Sequence, residues 1–322
     1  MKVALQANDL NIGYQDGSKT QLVAGNLNAT LNKGELACIM GPNGIGKSTF
    51  IRTIAGLQDP ISGAVTINNT NIHLISNKER AKLLSVVLTG RPTSNFMTVR
   101  DLVELGRYPH TNWQHALGVD DKLIVDRAIA AVDLESESDK LVAELSDGNA
   151  QKAMIARALS QDAELIVLDE PTIHLDLRNK LMVLKLLADL SKKYNKSILL
   201  ASHDLNMMSQ LADKLWLFQE DKIIIGIPED LMNNGIVEEI LGTEEYTPPP
   251  ANIKLAVKIQ GNTDMTYWLA RALKRKGYAV AGAAEIMINA TENSFEINNG
   301  KKQEVFSSIE ATLAGLKKYY NE

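Results

Sequence analysis

Cysteine is all but missing from this 322-residue chain: Cys38 stands alone, which excludes an internal disulfide and any four-thiolate zinc site. Aromatic residues make up only 5%, so the 45% hydrophobic content is carried mainly by aliphatic side chains, an ordinary balance for one large folded domain and a smaller one. Positive charge is not in excess. The 34 Lys+Arg against 39 Asp+Glu leave a net charge of −5, so nucleic acid is not an expected partner. No run of about 18 apolar residues occurs, and the chain is not expected to span a bilayer by itself. Polar residues interrupt the opening Met-Lys-Val-Ala-Leu-Gln-Ala-Asn-Asp-Leu before a signal-peptide core forms, which points to a reducing cytoplasmic setting.

Between residues 34 and 202, apolar runs of strand length alternate with helical patterns, which predicts a parallel sheet covered by helices. The buried-strand candidates are 35–40, 85–88, 165–168 and 197–201. From 99 to 134 two helical patterns follow one another with no strand between, the first opened by Thr98 with Asp101 three residues on, the second by Asp120 and Asp121. This reads as a helical insertion. Residues 214–219 and 222–227 predict a hairpin closing the large domain. Three consecutive prolines in 246–252 mark a stiff linker. Beyond it, Met265, Trp268, Leu269, Ala272 and Leu273 share one helical face, and Val305, Ile309, Leu313 and Leu316 another. With a strand at 255–259 and a hairpin around 285–297, they predict a small α+β module.

The densest chemistry is Gly41-Pro42-Asn43-Gly44-Ile45-Gly46-Lys47-Ser48-Thr49, placed between an apolar strand and a helical pattern, the context a phosphate-binding loop requires. Its glycines let backbone N–H groups turn inward around phosphates, and the helix N-terminus adds partial positive charge. Lys47 would reach the terminal phosphates and Ser48 would offer its hydroxyl to Mg²⁺. A second apolar strand ends in Asp169-Glu170. Successive strand side chains point apart, so the two carboxylates are expected to divide the work: Asp169 toward Mg²⁺, Glu170 as the general base that polarises an attacking water.

These motifs, joined by Leu145-Ser146-Asp147-Gly148-Asn149 and the helical pattern after it, resemble the ATP-binding subunits of ATP-binding-cassette (ABC) transporters over residues 1–245. The resemblance implies an α/β P-loop NTPase fold, a mixed sheet with a helical insertion at about 90–160, followed by the small α+β domain at 253–322. It implies ATP and Mg²⁺ as ligands and a head-to-tail homodimer in which Ser146, Gly148 and Asp176 of one protomer meet ATP held by the other. Ser146 reads as the N-cap of its helix, with the Gly148 N–H at the positive end and Asn149 as its partner at the third position. His203 matches the switch histidine at the γ-phosphate and joins Glu170 and Lys47 as catalytic; Tyr14 occupies the place of the aromatic that stacks on adenine. The segment from Thr98 through Arg107 to Trp113 is similar to importers of iron–siderophores, haem and cobalamin, where the insertion docks a membrane permease. That implies an ATPase at the cytoplasmic side of the inner membrane, peripheral, with no direct cargo contact. A permease-free ABC-type ATPase and a module using ATP to gate dimerisation are the alternatives.

Two departures matter. Thr89 stands where the family usually carries a glutamine, and would reach Mg²⁺ only through water or with a closer backbone. Asp147 replaces the usual glycine and is expected to point away from the nucleotide phosphates.

Overall fold

Two long antiparallel strands open the structure, a computed structural model: β1 (Val3–Asp16) and β2 (Lys19–Asn32). The apolar-run reading does not anticipate them. Along β2, buried Leu27, Ala29 and Leu31 alternate with exposed Asn26, Asn28 and Thr30, so no continuous apolar run exists to be seen. Asp9 and Asn26, at φ of 45° and 54°, stand at shifts in the pairing register, in a backbone region that short polar residues tolerate.

The chain continues through β3 (Leu36–Met40), α1 (Lys47–Ile54), β4 (Ser62–Ile67), β5 (Thr70–Asn71), α2 (Asn77–Leu83) and β6 (Leu84–Val87). The insertion follows with α3 (Val99–Glu104), a 3-10 helix (Leu105–His110), α4 (Val119–Ala131) and α5 (Asp147–Ser160). Then come β7 (Leu165–Leu168), α6 (Leu177–Tyr194), β8 (Ser197–Ala201), α7 (Leu205–Leu211), β9 (Lys214–Phe218), β10 (Ile223–Gly226), α8 (Pro228–Asn233) and α9 (Ile236–Leu241). The expected hairpin is β9–β10, but two short helices and not the hairpin end this part of the chain.

β4 and β5 join β1 and β2 in an antiparallel sheet. The other six strands form a mixed sheet in the order β10-β9-β3-β8-β7-β6, parallel except for β10. β3, β7 and β8 are buried at every residue, which is why they read as unbroken apolar runs. Their alternate side chains enter different cores. Cys38 and Met40 pack with the insertion helices, while Ala37 and Ile39 pack with Phe50, Ile51 and the first sheet.

Capping decides the insertion's helix starts. Thr98 and Asp101 form a capping box on α3, the Thr98 N–H donating to Asp101 Oδ2 at 2.9 Å and the Asp101 N–H to Thr98 Oγ1 at 3.1 Å. The Thr98 hydroxyl, donating to Asp101 Oδ2 at 2.7 Å, and the Thr98 N–H hold the Asp101 carboxyl below the usual carboxylate range. On α4 the expectation needs correcting: the cap is Gly118, whose N–H donates to Asp121 Oδ2 at 3.0 Å, and both aspartates lie inside the first turn. Arg107, almost fully buried, ties the insertion together by donating from Nε to Asp121 Oδ1 at 2.9 Å and from Nη1 to the Ser160 carbonyl at 2.8 Å.

The structure describes residues 2–17, 19–90, 96–111, 116–219, 221–242, 256–261, 263–276, 278–291, 294–300 and 302–318. The proposed linker at 246–252 and residues 112–113 of the importer-like segment lie outside them. The chain divides into two compact units, Met1–Leu241 and Gly242–Glu322. In the second, β11 (Ala256–Gly261), α10 (Thr263–Arg275), β12 (Ala279–Val280), β13 (Ile286–Ala290), β14 (Phe295–Asn298), β15 (Gln303–Phe306) and α11 (Ile309–Lys318) build a sheet of order β12-β11-β13-β14-β15. Its core holds Val257, Leu269, Leu273, Ile288, Ile297 and Leu316. Two stripe residues do not belong there: Trp268 is 56% exposed, paired edge-on with Tyr267, and Val305 is 65% exposed on β15 instead of a helix. Among the described residues no helix is long and apolar enough to cross a membrane.

Candidate functional site

The loop from Gly41 to Gly46 leaves the C-terminal end of β3 and enters α1. Gly46, at φ 111°, caps the helix in a left-handed conformation, and a Cβ there would stand 2.7 Å from Val23 Cγ1. Pro42, Asn43 and Gly44 are exposed, and Pro42 and Ile45 also border an open cleft of about 310 Å³ with Phe218 and Ile240. Lys47 folds back inside its own loop, Nζ donating to the Gly41 and Pro42 carbonyls at 2.8 Å each. Burial lowers its pKa, opposed by the carboxylates of Glu170 and Asp169. Thr49 Oγ1 lies 3.2 Å from Tyr14 Oη, so the half-exposed tyrosine is tethered to the first turn of α1.

Asp169 continues the β6–β7 ladder by one rung, its N–H donating to the Val87 carbonyl at 2.9 Å. Ser48 Oγ donates to Asp169 Oδ1 at 3.4 Å. Burial raises the Asp169 pKa, Ser48 lowers it, and the nearby Glu170 raises it again. A serine hydroxyl beside a desolvated carboxylate is a hard-oxygen donor set that suits Mg²⁺. Among the described residues no group of three or more His, Cys, Asp or Glu could hold a metal ion. A buried charge of this kind costs stability in the absence of a cation. With its folded pKa raised, Asp169 favours the folded state most below its unfolded value, and that contribution is lost as pH rises through the raised pKa. Asp169→Asn is therefore expected to raise the Tm of the ligand-free protein at pH 7. The gain should shrink toward pH 4 in a calorimetric pH series, and a lower Tm at pH 7 would contradict it.

Glu170 and Asp169 are separated differently from the expectation. β7 ends at Leu168, so strand alternation does not part them; instead Glu170 takes a left-handed backbone, φ 49°. Its Oε1 lies 2.7 Å from Nε2 of His203, which follows β8. His203 thus holds the Glu170 carboxylate, a contact the sequence does not reveal. Thr89 Oγ1 donates to the backbone carbonyl of Asp169 at 2.8 Å, so its hydrogen is committed to the protein and only its oxygen is left for a metal-bound water.

Ser146 caps α5, accepting the Asn149 N–H at 3.3 Å, but the reciprocal bond from the shorter Asn149 side chain is not formed. Asp176 caps α6 through the Asn179 N–H at 2.8 Å and also accepts from Asn179 Nδ2 at 2.9 Å. The two caps meet in an open cleft of about 480 Å³ lined by Leu145, Ser146, Asp147, His174, Asp176 and Asn179. Gly148 is buried there, and a Cβ on it would lie 2.5 Å from Asn179 Oδ1. Asp147 lines both this cleft and an adjoining cavity of about 260 Å³ that also holds Thr89, Glu170 and Gln151. Gln151 Nε2 is buried without a protein partner, the donor that a water in this cavity would meet. Sequence reasoning missed Gln151 and Asn179. Only the latter carries a signal, as the third residue after a capping Asp. Lys47, Ser48, Asp169, Glu170 and His203 thus converge at the strand ends, whereas Ser146 and Asp176 line a separate cleft.

Residues 24–173 match the ABC transporter family, and residues 254–317 match the iron ABC transporter C-terminal domain. The chain is 39% identical over 237 residues to the ABC transporter ATP-binding protein MJ0873 of Methanocaldococcus jannaschii, covering 73% of this chain and 80% of that one. It is 34% identical to the ferric enterobactin transport ATP-binding protein FepC of Escherichia coli (74% and 87% covered) and 32% identical to the iron(3+)-hydroxamate import ATP-binding protein FhuC of Bacillus subtilis (77% and 92%). Among solved structures, cbiO1 from Clostridium perfringens, part of the ABC transporter complex cbiONQ, superposes with a TM-score of 0.64 at 26% identity over 74% of this chain and 94% of that one. The ADP- and Pi-bound dimer of the cassette MJ0796 shares the fold, with a TM-score of 0.60 at 23% identity over 70% and 98% of the two chains.

Proposed function

The chain belongs to the ATP-binding, ATP-hydrolysing subunits of ABC transporters, and from that premise we propose that it energises import of an iron chelate, such as a siderophore complex, through a separate membrane permease. The ATP-hydrolysing part of this reading is carried by one arrangement: Glu170, braced by His203, beside Lys47 and Asp169 at the ends of the parallel strands. Two copies pair head to tail. Lys47 and the loop N–H groups take the phosphates, Tyr14 backs the adenine, and the Ser146 helix end of the partner protomer closes over the γ-phosphate. Ser48 and Asp169 would hold Mg²⁺, which would supply charge neutralisation for the triphosphate. Glu170 takes the proton of the attacking water, and His203 keeps the carboxylate aimed.

The iron-chelate class is supported by the functions named for the relatives and by the match of the C-terminal segment to an iron transporter domain. We place the ATPase domain at 1–245, the linker at 246–252 and an accessory domain at 253–322, the whole bound peripherally at the cytoplasmic face of the inner membrane. The test is affinity purification of the full chain from membranes together with uptake of labelled ferric chelates. A polytopic partner and ATP-dependent uptake that is lost with the chain are expected. Recovery only as a soluble ATPase, with uptake intact in its absence, would favour a permease-free role.

A further inference from the structure

The position where relatives of this kind are expected to carry glutamine holds Thr89, and its hydroxyl is not idle. We propose that Thr89 is a positioning residue for hydrolysis: by donating to the Asp169 carbonyl it fixes the peptide plane between Asp169 and Glu170, and so sets where the Glu170 carboxylate stands. This rests on the reading of Glu170 as the base.

β6 and β7 pair in parallel with Val87 opposite Leu168, and the Asp169 N–H makes the last backbone rung, to Val87. In a parallel ladder the next rung would run from the Thr89 N–H to the Asp169 carbonyl. The backbone does not make it. The Thr89 side chain takes that carbonyl instead, at 2.8 Å, and the chain is free to turn out of the sheet at Gly90, φ 132°. The carbonyl so held belongs to the peptide unit whose orientation defines φ of Glu170. That φ of 49° is uncommon for a residue with a side chain and persists only where its surroundings fix it. Glu170 is thus gripped at two points, its carboxylate by His203 at 2.7 Å and its preceding peptide by Thr89. A β-branched residue is stiff at χ1, so the hydroxyl is aimed before nucleotide arrives.

The experiment measures steady-state ATPase of the full chain across ATP and Mg²⁺ concentrations for Thr89→Val, Thr89→Ser and Glu170→Gln, and for Thr89→Val combined with Glu170→Gln. Thr89→Val is expected to lower kcat about fivefold, the worth of one hydrogen bond, with KM for ATP and the Mg²⁺ requirement unchanged. Thr89→Ser should restore the rate. In the Glu170→Gln background, Thr89→Val should leave the residual rate unchanged, since there is no longer a base to aim; a structural defect would lower both. Wild-type kcat in Thr89→Val overturns the proposal, as does recovery of its rate at high Mg²⁺, which would put Thr89 on the metal. If Thr89→Val melts below the parent, Thr89→Ala is read by the same criteria per folded molecule. Should Glu170→Gln itself hydrolyse normally, the base reading fails; should it be inactive while Thr89→Val is normal, only the role of Thr89 fails.

Discussion

Glu170→Gln is expected to cut ATP hydrolysis by about a hundredfold or more, the range a positioned general base supplies, while leaving ATP binding intact. The substitution is nearly isosteric. A carboxamide oxygen can still accept from His203 Nε2, so the 2.7 Å contact and the left-handed backbone at residue 170 have no reason to change. What disappears is the capacity to take a proton. One negative charge near Lys47 is also removed, which weakens nothing that holds a triphosphate. Nucleotide should therefore be bound and not consumed, and a paired form should accumulate with ATP. Rate measurements, equilibrium binding and gel filtration in ATP check the three parts. Hydrolysis at the parent rate would remove Glu170 from the base role.

The second large effect comes from mixing two defective chains. Lys47→Ala removes the cation inside the phosphate loop, and Ser146→Arg blocks the capped end of α5 with a bulky side chain; each alone is expected to be inactive. Lys47 and Ser146 sit at the starts of different helices and face different clefts of one molecule. In a symmetric pair whose sites are composite, a mixed dimer carries both defects at one site and neither at the other. Random pairing then restores up to about a quarter of the parent sites in an equimolar mixture. The readout is ATPase rate against mixing ratio, peaking at equal proportions. A normally active Ser146→Arg chain would mean that the triphosphate is satisfied within a single molecule.

How much was legible follows from how each segment is solvated. β3, β7 and β8 are buried on both faces, and their bounds read from apolar runs fall within a residue of those observed. β2 escapes the same reading because half of its side chains are exposed, and β1 because Gln6, Asn8 and Asn11 interrupt its buried apolar residues. The phosphate loop is local in sequence, so strand, glycines and lysine could be read together. The tuning of Glu170 is not local: His203 and Thr89 reach it from two neighbouring strand ends, and the Thr89 contact is to a backbone atom that no side-chain pattern encodes. Helical spacing identified the buried faces of α10 and α11 but carried Trp268 and Val305 along with them. Periodicity alone does not say where a face ends or a strand begins.

Cys38 lies in the middle of β3, hydrogen-bonded strands on either side and no exposed surface, and burial pushes its thiol well above the usual range. As the sole sulfhydryl of the chain it is shut off from alkylating reagents until the central sheet parts. Its labelling rate in dilute denaturant is accordingly a built-in clock for global opening, and a cysteine introduced on the surface can carry a fluorophore at a single known place.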